Sequence, residues 1–116
     1  ARVSLFVGAD PRQVEAAART GAAVVEIHTG AYCDAAHEGR PEEARAELAR
    51  IREAAALAAT LGLEVHAGHG LTYDTVAPVA AIPALRELNI GHFLIGESIF
   101  QGLAPAIAEM RRRMDA

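Results

Sequence analysis

The sequence predicts an α/β protein in which short parallel strands alternate with helices. Short apolar runs with β-branched residues recur along the chain, separated by segments whose apolar residues have helical spacing. Two helix-to-strand joints share one pattern, a glycine after the helix and before the strand: Thr20-Gly21-Ala22 and Leu61-Gly62-Leu63. Such repeats form parallel strands with right-handed crossovers. We therefore expect one domain over residues 1–116 with four strand–helix units, either half of an eight-fold barrel or a small open sheet.

The element boundaries follow from apolar periodicity and from glycine, proline and capping residues. The expected strands are residues 2–7, 23–27, 63–67 and 85–90. The expected helices are residues 11–19, 41–61, 72–81 and 103–114. Asp10 and Pro11 are typical of a helix start, as N-cap and first helical residue. Residues 31–40 are expected to be irregular, and a short helix is preferred to a strand at residues 93–95.

Composition argues against several classes of function. No apolar run reaches the ~18 residues that a membrane span requires, and no secretory leader is visible. A net charge of −4 and an aromatic content of 4% argue against nucleic-acid binding. The single cysteine, Cys33, excludes an internal disulfide and indicates a reducing, cytoplasmic location. All 11 basic residues are arginine, so no lysine can form an imine with a carbonyl substrate.

A glycine-rich turn after the third strand is the strongest candidate for a functional site. His69 lies there between Gly68 and Gly70, which permit positive φ and the close approach of a ligand. A helix starting after this turn would offer backbone N–H groups to an anion, so we expect a phosphate pocket. Imidazole titrates near neutrality, which makes His69 a candidate for proton transfer. The alternative is that His69 merely bonds the backbone of the turn.

Polar residues also end the second strand. Glu26 and His28 are two residues apart, so they share one face, whereas Val25 and Ile27 point to the other face and the helices. Polar residues at the carboxyl end of a parallel strand normally belong to a site. The alternative for Glu26 is a buried carboxylate bonded to a neighbour.

The remaining histidines carry weaker signals. His66 lies inside the third strand and either takes part in chemistry or orients its neighbours. His92 follows Gly91, and the pair is expected to offer mainly backbone N–H groups to an anion. His37 and Cys33 lie in the stretch expected to be irregular, and we expect both at the surface.

Metal binding is not expected. Zinc ligand types are present, in Glu26, His28, His66 and His69. However, the chain has neither a helical His-x-x-x-His pair nor paired cysteines, and histidines beside glycines suit an anion equally well.

Four segments together resemble the pyridoxine 5′-phosphate synthase family over essentially the whole chain. They are residues 4–7 (Ser-Leu-Phe-Val), 25–32 (Val-Glu-Ile-His-Thr-Gly-Ala-Tyr), 67–73 (Ala-Gly-His-Gly-Leu-Thr-Tyr) and 87–92 (Glu-Leu-Asn-Ile-Gly-His). The resemblance is to the C-terminal half of that family's eight-stranded barrel, strands five to eight.

The resemblance implies a function and roles for individual residues. The family condenses 1-deoxy-D-xylulose 5-phosphate with 3-amino-2-oxopropyl phosphate in vitamin B6 biosynthesis, without a metal or organic cofactor. By motif, Glu26 would stabilise charge in the transition state and His69 would be the general acid. Gly70, Gly91 and His92 would bind the phosphate of the aminoketone.

The chain also departs from the family pattern. Two features of the family's barrel have no counterpart in this chain. They are the loop after the family's strand two, with its histidines and arginine, and the glutamate base on the family's strand three. Gly8 stands where an acidic residue is expected, and His66 where asparagine is common. We therefore expect a transferase-type enzyme that is inactive without its N-terminal half. The alternative is a phosphate-binding or self-associating half-barrel without turnover. Unpaired sheet edges favour association with that half or with a second copy.

Overall fold

The sheet has the parallel topology that the sequence predicts. The computed structural model describes residues 2–115. Its strands are β1 (Ser4–Val7), β2 (Val24–His28), β3 (Glu64–Gly68) and β4 (Leu85–Asn89). They form one sheet in the order β1-β2-β3-β4, with all neighbouring pairs parallel. The predicted fold class is confirmed, since this arrangement is consistent with half of a TIM barrel.

The helices follow the strands along the chain. They are α1 (Pro11–Arg19), α2 (Gly30–His37), α3 (Pro41–Thr60), α4 (Val76–Ala80), α5 (His92–Gln101) and α6 (Leu103–Met114). Asp10 caps α1, because its carboxylate accepts the Arg12 N–H at 2.9 Å. The bounds predicted for α1 and α6 are confirmed. The helix preferred at residues 93–95 is also confirmed, although α5 is longer.

Two helix predictions are wrong. The stretch expected to be irregular contains α2, which buries Tyr32, Cys33 and Ala35 and packs against α3. Burial on a neighbouring helix, rather than its own periodicity, therefore stabilises α2. The helix expected from residue 72 begins only at Val76, because residues 72–75 form a turn in which Thr75 Oγ1 accepts the Thr72 N–H at 2.8 Å.

The hydrophobic core lies on one side of the sheet. Val25 and Ile27 of β2 are fully buried, as predicted from the alternation, and Val65 and Ala67 of β3 extend the same layer. Helices α1 and α3 cover this layer, with Ile51 of α3 among the largest fully buried side chains. Burial of such an aliphatic side chain contributes about 1.5–3 kcal/mol.

The opposite face of the sheet is open. Phe6 of β1 is 58% exposed, and Glu26, His28 and His66 are only partly covered. The molecule measures 44 × 37 × 21 Å. Its smallest dimension corresponds to the thickness of a sheet covered by one helical layer. In a closed barrel this open face would be the interior. Within residues 2–115, no helix combines the length and the apolar character needed to cross a bilayer.

Candidate active site

A cleft of about 610 Å³ lies at the carboxyl ends of the strands. Its lining comes from the open face of the sheet and from the loops after β3 and β4. The lining residues are Phe6, Glu26, His69, Gly70, Leu71, Thr72, Asn89, Ile90, Gly91, His92 and Phe93. In parallel α/β proteins, this is the end of the sheet at which ligands bind.

The cleft contains the five residues that the sequence singles out. Glu26 lies on β2, and His69 and Gly70 lie in the loop after β3. Gly91 directly precedes α5, and His92 is its first residue. His69 is exposed and Glu26 is half-buried. The fold thus brings together residues separated by more than 60 positions of sequence.

Glu26 has a partner that sequence reasoning missed. Asn89, the last residue of β4, donates an amide N–H to Glu26 Oε1 at 2.7 Å. The carboxylate is therefore bonded to a neighbour, as in the alternative interpretation, and still faces the cleft. A polar residue at the end of the fourth strand was the available signal, because β4 ends at the same edge as β2.

Gly68 is required where β3 passes beneath this pair. A Cβ on Gly68 would lie 2.7 Å from the Asn89 carbonyl oxygen and 2.9 Å from Glu26 Oε2. Gly68 therefore allows the backbone of β3 to lie close to Glu26 and Asn89. Positive φ in this turn occurs instead at His69 (89°) and Gly70 (82°).

His28 and His69 form a stacked pair at the edge of the cleft. Their ring centroids are 4.2 Å apart, with an interplanar angle of 30°, and Phe6 packs edge-on against His28 at 5.1 Å. The Gly30 N–H donates to His28 Nδ1 at 3.0 Å, so the neutral His28 ring carries its proton on Nε2. Burial and, secondly, the nearby His69 lower the pKa of His28.

The segment after β2 supports the backbone of His69. Thr29 is fully buried, and its hydroxyl lies 2.6 Å from the His69 carbonyl oxygen and 2.9 Å from that of Gly68. The Cys33 thiol lies 3.8 Å from the same His69 oxygen. Cys33 is thus buried, contrary to the prediction, and burial raises its pKa. His37 is exposed, as predicted.

The start of α5 is the helix N-terminus at this cleft. Gly91 is its N-cap residue and His92 its first helical residue, and both line the cleft. The short helix α4 begins further along the chain, because the turn over residues 72–75 separates it from Gly70. An anion in the cleft would therefore meet the N-terminus of α5.

His66 lies outside the cleft, within a polar cluster on β3 and β4. Its Nε2 lies 2.6 Å from Glu64 Oε2 and 3.2 Å from Glu87 Oε2, while Arg2 lies 3.1 Å from the other Glu64 oxygen. The His66 N–H and then Arg2 lower the pKa of Glu64. The ligand types and spacing in this cluster would suit a cation. However, Glu64 already contacts both Arg2 and His66, and these contacts account for the cluster without a cation.

Comparison with known proteins decides the family. The family model described as "Pyridoxal phosphate biosynthesis protein PdxJ" matches residues 1–116. The chain belongs to this family. It is 70% identical over 115 residues to a pyridoxine 5′-phosphate synthase of Roseobacter denitrificans. It is 68% identical over 115 residues to one of Cereibacter sphaeroides and 65% identical over 116 residues to one of a Caulobacter species.

The alignments with these relatives extend over almost all of this chain but over only part of each relative. The alignments with the Roseobacter and Cereibacter proteins cover 99% of this chain and 46% of each relative. The chain thus spans about half the length of the curated relatives that it matches. The resemblance drawn from the sequence is confirmed, including its restriction to part of the family's length.

Proposed function

We propose that this chain forms the C-terminal half of a pyridoxine 5′-phosphate synthase barrel. The completed barrel would condense 1-deoxy-D-xylulose 5-phosphate with 3-amino-2-oxopropyl phosphate. The observation that supports this is the convergence of Glu26, His69, Gly70, Gly91 and His92 on one cleft. The cytoplasmic location that the single cysteine indicates belongs to the same proposal.

His69 and Glu26 carry the chemistry in this proposal. The His69 imidazole is exposed in the cleft, so it can reach a substrate and deliver a proton to a leaving oxygen. Glu26 presents a carboxylate held by Asn89, which can stabilise positive charge that develops on the substrate. The chain has no lysine, so its side chains cannot supply an imine-forming amine. The proposal includes neither a metal nor an organic cofactor.

The phosphate of the aminoketone binds, in this proposal, where α5 begins. Gly91 and His92 provide backbone N–H groups at the N-terminus of a ten-residue helix, and Gly70 lies across the same cleft. The positive end of the helix dipole favours an anion there.

Completion by the missing half of the barrel would cover the surfaces left open here. β1 and β4 are the edge strands, and Phe6 on the open face is 58% exposed. Apolar residues of α5 and α6 are also exposed, with Phe100 at 85% and Leu103 at 50%. Uncovered strand edges and apolar patches favour association. The partner is an N-terminal half of the same barrel, and the chain alone is inactive.

The test is to mix the chain with the N-terminal half of a close relative and assay both substrates together. We expect a heterodimer by native mass spectrometry and turnover that neither half shows alone. His69→Asn should lower single-turnover rates by about 10²–10⁴-fold, the usual share of general acid catalysis. Asparagine tolerates the positive φ found at position 69, so the turn is retained. His37→Asn, the same change at an exposed position outside the cleft, is the matched control.

Two results would contradict the proposal. One is a complex that forms but does not turn over, and the other is near-normal turnover in His69→Asn. The second candidate function, a phosphate-binding or self-associating module, then gains support if inorganic phosphate raises the melting temperature of the chain, or if the chain forms homo-oligomers by itself. The start of α5 at the cleft is the observation that favours phosphate binding.

A further inference from the structure

Thr29 uses its hydroxyl in an unusual way for its place in the chain. It is the N-cap residue of α2, where a threonine side chain normally accepts an N–H of the first helical turn. Here the side chain makes no capping bond. Instead, the fully buried hydroxyl lies between two carbonyl oxygens of the neighbouring loop, 2.9 Å from Gly68 O and 2.6 Å from His69 O.

The backbone that Thr29 contacts is strained. His69 has φ 89°, and it is the one non-glycine residue with positive φ among residues 2–115. A side chain disfavours this conformation, so it persists only where the surroundings fix it. Thr29 directs two donor groups at this backbone, its hydroxyl and its N–H, and the N–H donates to Gly68 O at 2.8 Å.

The same segment also leaves space for the His69 ring. Gly30 follows Thr29, and a Cβ at Gly30 would lie 2.9 Å from His28 Nδ1 and 3.0 Å from His69 Cδ2. The stacked pair of His28 and His69 therefore needs both the bare Cα of Gly30 and a His69 backbone held in its strained conformation. Thr29 thus contacts the backbone of His69, and Gly30 lies beside its ring.

We propose that Thr29 is a positioning residue for His69. Its hydroxyl holds the peptide of His69 at positive φ, and this keeps the imidazole stacked on His28 and inside the cleft. The effect on the chain itself follows from the contacts above. The effect on turnover rests on the proposed function, in which His69 is the general acid.

The test compares Thr29→Val, which removes the hydroxyl at nearly constant shape, with Thr29→Ser, which keeps it. On the 116-residue chain, ¹H–¹³C spectra of the histidine rings report the stack through nuclear Overhauser contacts between His28 and His69. We expect Thr29→Val to lose these contacts and Thr29→Ser to retain them. Thr29→Ala also removes the hydroxyl and replaces Thr29→Val if the latter does not fold. Thr60→Val removes a hydroxyl from an exposed helical position and should leave the ring contacts unchanged.

The kinetic measurement uses the completed barrel. We expect Thr29→Val to lower kcat by about 10²-fold, the order of loss for a misplaced catalytic group. The KM for the aminoketone phosphate should stay unchanged, and Thr29→Ser should restore kcat. Intact ring contacts in Thr29→Val, or a kcat equal to that of the parent, would overturn the role of Thr29. An inactive parent barrel would contradict the proposed function instead, and the ring contacts would still decide the positioning role.

Discussion

The imidazole rings of His28 and His69 stack with their centroids 4.2 Å apart at the carboxyl end of the sheet. Two rings at this distance disfavour simultaneous positive charge. The pKa of His28 lies below its ordinary value of 6.5. Burial is the larger cause of this decrease, and the nearby His69 ring is the second. His28 therefore stays neutral to lower pH than a histidine in an unfolded chain.

This relationship predicts how the stability of the fold depends on pH. Because the folded pKa of His28 lies below the unfolded value of 6.5, the unfolded chain binds more protons between the two values. The free energy of unfolding should fall as pH drops below about 6.5. His28→Gln should flatten that part of the profile, measured as the urea midpoint from pH 7.5 down to pH 5. His37→Gln is the control at an exposed site, and an equal flattening there would assign the effect to general charge.

Gly68→Ala should disrupt the cleft, because the added Cβ would lie 2.7 Å from the Asn89 carbonyl oxygen and 2.9 Å from Glu26 Oε2. We expect a loss of about 1–3 kcal/mol in the free energy of unfolding, the usual penalty for overpacking. Gly96→Ala is the matched control, since a Cβ there meets open space within α5. It should stabilise the chain by about 0.5–1 kcal/mol. Chemical denaturation measures both, and equal effects would contradict the close approach at Gly68.

Asn89→Ala should lower the turnover of the completed barrel. The substitution removes the amide that donates to Glu26 Oε1 at 2.7 Å and leaves the carboxylate free to turn. A hydrogen bond to a charged group contributes about 1.5–3 kcal/mol, so a loss of about 10- to 100-fold in single-turnover rate is expected. Arg86→Ala, an exposed change on the same strand, is the control. Unchanged turnover in Asn89→Ala would show that Glu26 needs no partner.

Glu109 should stabilise the last helix in a pH-dependent way. Its carboxylate accepts hydrogen bonds from Arg112 and Arg113 at 2.7–2.8 Å. These bonds lower the pKa of Glu109 to about 2, and the contribution of Arg112 is the larger. The contribution is present above the ordinary value of 4.5 and is lost as pH falls through about 2. Glu109→Gln should therefore destabilise the chain at neutral pH and converge with the parent near pH 2. Thermal unfolding measures the difference, with Glu53→Gln on α3 as the control; a constant difference across this range would be inconsistent with the ion pairs.

The sequence by itself determined the order and type of most elements. Asp10 and Pro11 mark the start of α1, and apolar spacing along residues 103–114 marks α6. Alternation in β2 correctly separated Val25 and Ile27, which are buried, from Glu26 and His28. These features depend on residues within a few positions of each other. Local propensity and periodicity can therefore be recognised in the sequence alone. The motif residues of the cleft could be predicted for the same reason, since each lies in a strand, in the loop after a strand or at the start of a helix.

Only the tertiary structure decided the features that join distant parts of the chain. Helix α2 forms because Tyr32 and Cys33 are buried by packing that its own eight residues do not reveal. The pairing of Glu26 with Asn89 spans 63 positions and exists because β2 and β4 flank β3. The positive φ of His69 is held by Thr29, 40 positions earlier. Such contacts depend on which strands become neighbours and on where their ends lie, and these are properties of the assembled sheet rather than of any local stretch of sequence.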